Sequence, residues 1–246
     1  MDRMLYLSMS AAQNTMNAQA VNAHNLANVS TPGFRADLSR FISMPISGEG
    51  FDSRVYAQQD MPGFSSRAGT VQQTGNPLDV AIEGEGYIAI RRADGSEAYT
   101  RAGNLRVNNL GMLETGSGHA VIGNGGPIVI PPSQTIEIGS DGTISIRPLG
   151  LDEKTLATVN RIKLVHPEAG SLRKAEDGQL VMRDGSIAVA DARVRVTSGA
   201  LESSNVNMVE ALVQMISLAR QFEMNVKAMQ TVKENDESAA QMLRIS

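Results

Sequence analysis

The stretch LYLSMSAAQNTMNAQAVNAHNL, residues 5–26, decides how the chain is read. Leu5, Met9, Ala12, Met16, Gln19, Ala23 and Leu26 recur in alternating steps of four and three, the spacing that lines one face of a long helix. From Gln13 to Asn28 the polar positions are mostly amides, with no Asp, Glu, Lys or Arg. A helix facing water places charges on its outer side. Amides and alanines instead permit close approach without an ionic desolvation cost. The pattern therefore predicts a helix covered on more than one side. Val29-Ser30-Thr31-Pro32-Gly33 closes it: Pro32 lacks a backbone donor and pushes Thr31 out of helical geometry, and Gly33 accepts a positive φ.

The far end answers in kind. Met208, Leu212, Met215, Ala219, Phe222, Val226 and Met229 repeat the same stepping, and Val209, Val213 and Ile216 widen the stripe into a second face. Asn207 followed by Glu210 resembles a capping box. Charges gather later, from Arg220 through Lys233, Glu234, Asp236 and Glu237, which predicts a more exposed last part. A lone terminal helix is marginal in water and needs neighbours. The two ends are open to pairing within one chain or with copies from other subunits.

Between them the periodicity changes to two. Leu78–Ile82, Ile128–Ile130, Ile136–Ile138, Ile144–Ile146 and Arg193–Val196 alternate as strands do. Asp94-Gly95, Asp141-Gly142, Asp177-Gly178, Asp184-Gly185 and Asn124-Gly125 mark turns. The expected fold class is α+β, with N- and C-terminal helices pairing in a coiled-coil-like manner and a central antiparallel, partly irregular β domain. Boundaries fall at 1–34 for the first helix and its closing turn, 35–76 for an extended irregular connection, 77–198 for the β domain and 199–246 for the last helix. The Gly-, Ser-, Gln- and Pro-rich part of that connection, 43–75, reads equally as a strap along a partner or as a loop.

Composition narrows the function classes. The 246 residues carry a formal charge of −4 and 4% aromatics, with no Trp, which argues against a grip on nucleic acid. No apolar run approaches the roughly 18 residues of a membrane span, so direct membrane insertion is not expected. Cysteine is absent, which removes thiolate metal sites, cysteine nucleophiles and disulfides. Arg3 and the apolar start imitate a secretory signal, but serines interrupt the run and its periodicity continues past any cleavage point, so no cleavable signal is expected. His24, His119 and His166 stand apart, Ser171-Leu-Arg-Lys174 lacks its companion motifs, and Glu83 and Glu85 lie in a glycine-rich turn. No catalytic, metal or cofactor site is expected.

The motifs are also familiar. Asn25-Leu-Ala-Asn28-Val-Ser-Thr31-Pro-Gly33-Phe34-Arg35 resembles the N-terminal signature of the bacterial flagellar rod and hook family, Val29 and Ser30 standing where other small residues are usual. Thr74-Gly-Asn-Pro77-Leu-Asp79 through Gly84-Glu-Gly86-Tyr87, and Tyr99-Thr-Arg101-Ala-Gly103-Asn-Leu105, resemble its middle-domain motifs. Gly199-Ala-Leu-Glu202-Ser-Ser204-Asn205-Val206-Asn207 and Arg220-Gln-Phe222-Glu223 resemble its C-terminal signature. The resemblance implies a structural, non-enzymatic subunit of the periplasm-spanning rod, with paired terminal helices in an inner tube and a β domain outside. The closing segment, 233–246, resembles proximal rod subunits, with a distal rod subunit as the alternative. Implied partners are the adjoining rod subunits and the flagellar type III export apparatus. The implied assembly interface is Leu5, Met9, Ala12, Met16, Ala23 and Leu26 with Met208, Leu212, Met215, Ala219, Phe222, Val226 and Met229. Asn25, Asn28, Thr31, Gly33, Phe34 and Asn205 are the family-motif positions.

Overall fold

The computed structural model describes residues 4–45, 55–148, 156–168 and 170–245. Parts of three expectations, Arg3 of the signal-like start, 46–54 of the connection and Ser246 of the tail, lie outside the described residues. Two units emerge: a helical unit from Met1–Asn28, Ala36–Gly63 and Val206–Ser246, and a β unit from Val29–Arg35 and Phe64–Asn205.

In the helical unit, α1 (Met4–Ala27) and α2 (Met208–Ile245) lie side by side. Asn22 Nδ2 donates to the Ala211 carbonyl at 2.8 Å and Asn225 Nδ2 to Thr15 Oγ1 at 3.4 Å, so the later part of α1 meets the start of α2 and the pair runs antiparallel. The seam is filled by small and polar groups on α1, where Ala12, Thr15, Ala18 and Asn22 are buried, and by Ala211, Leu218 and Val232 on α2. Asn207 starts α2 by accepting the Val209 and Glu210 N–H groups at 3.0 and 3.3 Å. Strand β1 (Asp37–Pro45), paired with β2 (Val55–Phe64), belongs to the same unit, apart from Phe64. Asn25 holds its start from both sides, donating to the Asp37 carbonyl at 2.9 Å and accepting the Asp37 N–H at 2.8 Å.

The β unit continues with β3 (Val71–Gln73), β4 (Val80–Glu83), β5 (Tyr87–Arg91), β6 (Glu97–Thr100), β7 (Leu105–Val107), β8 (Leu113–Thr115), β9 (Ala120–Gly123) and β10 (Gly126–Pro127). After these come β11 (Ser133–Ile138), β12 (Thr143–Pro148), β13 (Ala157–Arg161), β14 (Leu164–Val165), β15 (Leu172–Lys174), β16 (Leu180–Met182), β17 (Arg195–Ser198) and β18 (Ala200–Glu202). The largest sheet runs β15-β16-β6-β5-β9-β8-β7, with β14 also on β5 and β10 on β9; β11-β12-β13 form a second. Two further ladders, β17 with β4 and β18 with β3, return the chain end to its beginning. Every pairing described in this unit is antiparallel.

The alternating apolar residues meet inside: Val80, Ile82, Ile88, Ile90, Leu113, Ile128, Ile144 and Ile162 form one core, and Tyr99, Val165, Leu172 and Leu180 a second. The Asp-Gly turns close as written, because Asp94, Asp141, Asp177 and Asp184 each accept the N–H two residues on, from Ser96, Thr143, Gln179 and Ser186. The stretch 35–76, read as irregular, differs from that expectation. It contains β1, β2 and β3, the last of which finds its partner β18 more than a hundred residues downstream, a pairing without local signal.

Candidate functional site

The chain passes between the two units at 28/29, 35/36, 63/64 and 205/206. On the β-unit side, the residues next to these passages are tied to one another. Gly33, at φ +68°, donates its N–H to the Glu202 carbonyl at 2.8 Å. A Cβ there would lie 2.2 Å from the Arg101 carbonyl carbon, so the motif glycine serves both its turn and a close backbone approach. Asn205 donates its backbone N–H to the Phe34 carbonyl at 3.3 Å, and its side-chain amide to the Arg67 carbonyl at 2.9 Å and the Ser65 carbonyl at 3.4 Å. One residue thus binds two other passages.

A buried ionic group lies beneath this junction. Glu202 receives Arg101 Nε at 2.7 Å and the Gly69 N–H at 2.8 Å, and faces Arg35 Nη2 at 2.9 Å. Arg101 also donates to the Gly84 carbonyl at 2.6 Å, and Arg35 Nη1 to the Arg67 carbonyl. Burial lowers the basicity of Arg35, Glu202 offsets this, and the like charge of Arg101 adds to it. Lys174 Nζ sits 4.1 Å from the Phe34 ring centroid and donates to the Arg35 carbonyl at 3.3 Å. The motifs contained Arg35, Arg101 and Glu202, but nothing local assigned them a shared role. Upstream, Asp79 organises the Thr74–Asp79 turn, accepting from Thr74 Oγ1 at 2.7 Å and Asn76 Nδ2 at 3.2 Å.

The thirteen helix positions singled out from the sequence divide. Ala12 is buried in the seam, and Leu26, Met215, Ala219, Phe222, Val226 and Met229 are half-buried. Leu5, Met9, Met16, Ala23, Met208 and Leu212 are exposed. The large side chains at the heptad spacing are thus mostly left outward on α1, while the neighbouring small positions Thr15, Ala18 and Asn22 meet α2. The motif residues Asn25 and Asn28 act at the end of α1, Asn28 Nδ2 donating to the His24 carbonyl at 2.9 Å. Thr31, Gly33 and Phe34 belong to the junction loop in the β unit.

Three family descriptions match in chain order: flagella basal body rod protein over residues 5–35, the D1 domain of flagellar hook protein FlgE/F/G over 81–146, and the C-terminal part of flagellar basal body rod FlgEFG proteins over 197–242. The chain is 42% identical to the flagellar basal-body rod protein FlgF of Salmonella typhimurium and, likewise, to that of Escherichia coli, over 100% of both chains in each case. It belongs to the flagellar basal-body rod protein family. The flagellar basal-body rod protein FlgG of Bacillus subtilis is 31% identical over 94% of this chain and 96% of its own. This rod protein is a structural subunit of the flagellar basal body, not an enzyme. No helix among the described residues is long and apolar enough to cross a membrane.

Proposed function

We propose that this rod protein assembles head-to-tail through the outward faces of its terminal helices, as a proximal segment of the periplasm-spanning shaft that drives swimming. The observation carrying this reading is the distribution of apolar side chains on the helical unit. Met4, Leu5, Tyr6 and Met9 are exposed at the start of α1, and Met208, Val209, Leu212, Val213 and Ile216 at the start of α2. Because the helices run antiparallel, the two patches lie toward opposite ends of the pair. At about 1.5 Å per residue they are separated by roughly 20 Å or more.

Two different patches that complete each other on successive molecules make a heterologous contact, and repetition of such a contact generates an open helical assembly. Contiguous exposed apolar side chains of this kind mark interaction surfaces. The described part of α1 also carries no Asp, Glu, Lys or Arg, so burial of its outer face costs no ionic desolvation. The partners in this reading are the adjoining rod subunits, and delivery runs through the flagellar type III export apparatus. The FlgF relatives favour the proximal position; the FlgG likeness keeps a distal position as the alternative.

The test is incorporation into basal bodies of a chain carrying Leu212→Asp and Val213→Asp. The reading expects loss of incorporation with an unchanged β-unit melting temperature. Normal incorporation would contradict it.

A further inference from the structure

Methionine is distributed unevenly between the two units. Of the 13 in the chain, only Met112 and Met182 fall in the β unit, and both are half-buried. Every exposed methionine among the described residues belongs to the helical unit: Met4, Met9, Met16, Met44, Met208 and Met224. Four of these sit on the outward helical faces, where Met9, Met16, Met208 and Met224 are 53%, 56%, 50% and 62% exposed. Met9 and Met16 are about two turns apart on one side of α1. Met208 precedes the exposed Leu212 by about one turn, and Met224 stands about three turns beyond the exposed Val213, in line with it along α2. The chain has neither Cys nor Trp, so the thioether is its most readily oxidised side chain.

We propose that Met9, Met16, Met208 and Met224 form a peroxide-sensitive modification site, and that their sulfoxidation bars the free subunit from joining the rod. The second half of this rests on the assembly reading, since it concerns the same outward faces. In the reaction the thioether sulfur attacks one oxygen of hydrogen peroxide, the O–O bond breaks, an S–O bond forms and the other oxygen leaves as water. Sulfur gives up two electrons and the peroxide takes them. The product replaces a flexible apolar side chain by a polar sulfoxide. Its apolar neighbours on these faces, Leu5, Leu212, Val213 and Ile216, offer no side-chain donor, so covering the new oxygen there leaves it unpaired and is costly. The helix pair itself is spared, because the buried side chains of its seam, Ala12, Thr15, Ala18 and Asn22 with Ala211, Leu218 and Val232, contain no thioether. The change is reversible, since reductases return the sulfoxide to the thioether.

The full-length subunit is exposed to hydrogen peroxide and its sulfoxides are located by peptide mass spectrometry. Met9, Met16, Met208 and Met224 are expected to react several-fold faster than Met112 and Met182, with the β-unit melting temperature unchanged. A chain carrying Met9→Leu, Met16→Leu, Met208→Leu and Met224→Leu is then co-expressed with the parent chain, under distinguishable tags, in cells lacking methionine sulfoxide reductases. A peroxide pulse is expected to shift the ratio of the two in basal bodies several-fold toward the Leu chain. Sharing one cell cancels the general effects of peroxide. Without peroxide, Met9→Gln with Met16→Gln, a permanent polar substitute, is expected to incorporate poorly. Oxidation spread evenly over the six methionines, a ratio unmoved by the pulse, or parent-like incorporation of the Gln chain would overturn the assignment. Such a failure leaves the helix-mediated assembly reading standing, because Leu212→Asp with Val213→Asp tests that reading without any sulfur chemistry.

Discussion

The helical unit and the β unit solve the burial problem in opposite ways. In the β unit the large aliphatic side chains are inside: Ile88, Ile90, Leu113, Ile128 and Ile144 are fully buried. In the helical unit the buried positions of α1 are Ala12, Thr15, Ala18 and Asn22, while Met4, Leu5, Met9 and Met16 face outward, as do Leu38, Phe41, Ile42 and Met44 of β1. One unit places most of its large apolar residues in its own core, with Leu110, Val129, Ile187 and Val189 among the exceptions. The other packs small and amide side chains of α1 with Ala211, Leu218 and Val232 of α2 and leaves many large apolar side chains exposed. That division is what the proposed assembly through the helices requires.

The comparison breaks most visibly on the helices. Leu212→Asp with Val213→Asp is expected to abolish rod incorporation outright, with the β unit melting as in the parent chain, measured by motility, basal-body composition and calorimetry. Next in size is the ionic group of the β unit. Glu202→Gln leaves two buried guanidinium groups without their counter-charge and is expected to cost about 3–5 kcal/mol in denaturant unfolding of that unit.

Gly33→Ala is expected to cost on the order of 1–3 kcal/mol, since a Cβ at φ +68° would strike the Arg101 backbone. The smallest effect is alkaline. Burial pushes the Tyr99 hydroxyl up to about 12, against 10.0 for an exposed tyrosine. Its contribution is complete below pH 10 and is lost as pH rises toward 12, because the unfolded chain releases this proton first. A fall of about 2 kcal/mol across that window is expected, and Tyr99→Phe should flatten it. That substitution also removes the acceptor of the Ala188 N–H, so stability at neutral pH drops as well.

Periodicity made both helices legible, and α1 spans Met4–Ala27 much as the 5–26 stretch implied. Which face meets which partner was not legible. Ala12 is common to both faces, and the buried Thr15, Ala18 and Asn22 each stand one position before the heptad residues Met16, Gln19 and Ala23. Size favours the larger set for any apolar seam. Close antiparallel approach favours the smaller set, because Asn22 can then reach the Ala211 carbonyl.

In the β unit, local chemistry carried the reading: Asp-Gly turns and alternating isoleucines are short-range signals. The Arg35–Glu202–Arg101 group was invisible for the opposite reason, since its members are 66 and 101 residues apart in the chain. Their nearness exists only once β18 has paired with β3. The motifs that carry the family resemblance mark this junction without revealing what it does.

The most direct measurement uses the absence of cysteine, which makes a single introduced thiol free of background. Val213→Cys, at a side chain exposed in the single chain, is labelled with a maleimide in the free subunit and in intact basal bodies. The account predicts rapid labelling in the free subunit and strong protection in the assembled rod. Equal labelling in both would show that the outward helical face is not where subunits meet.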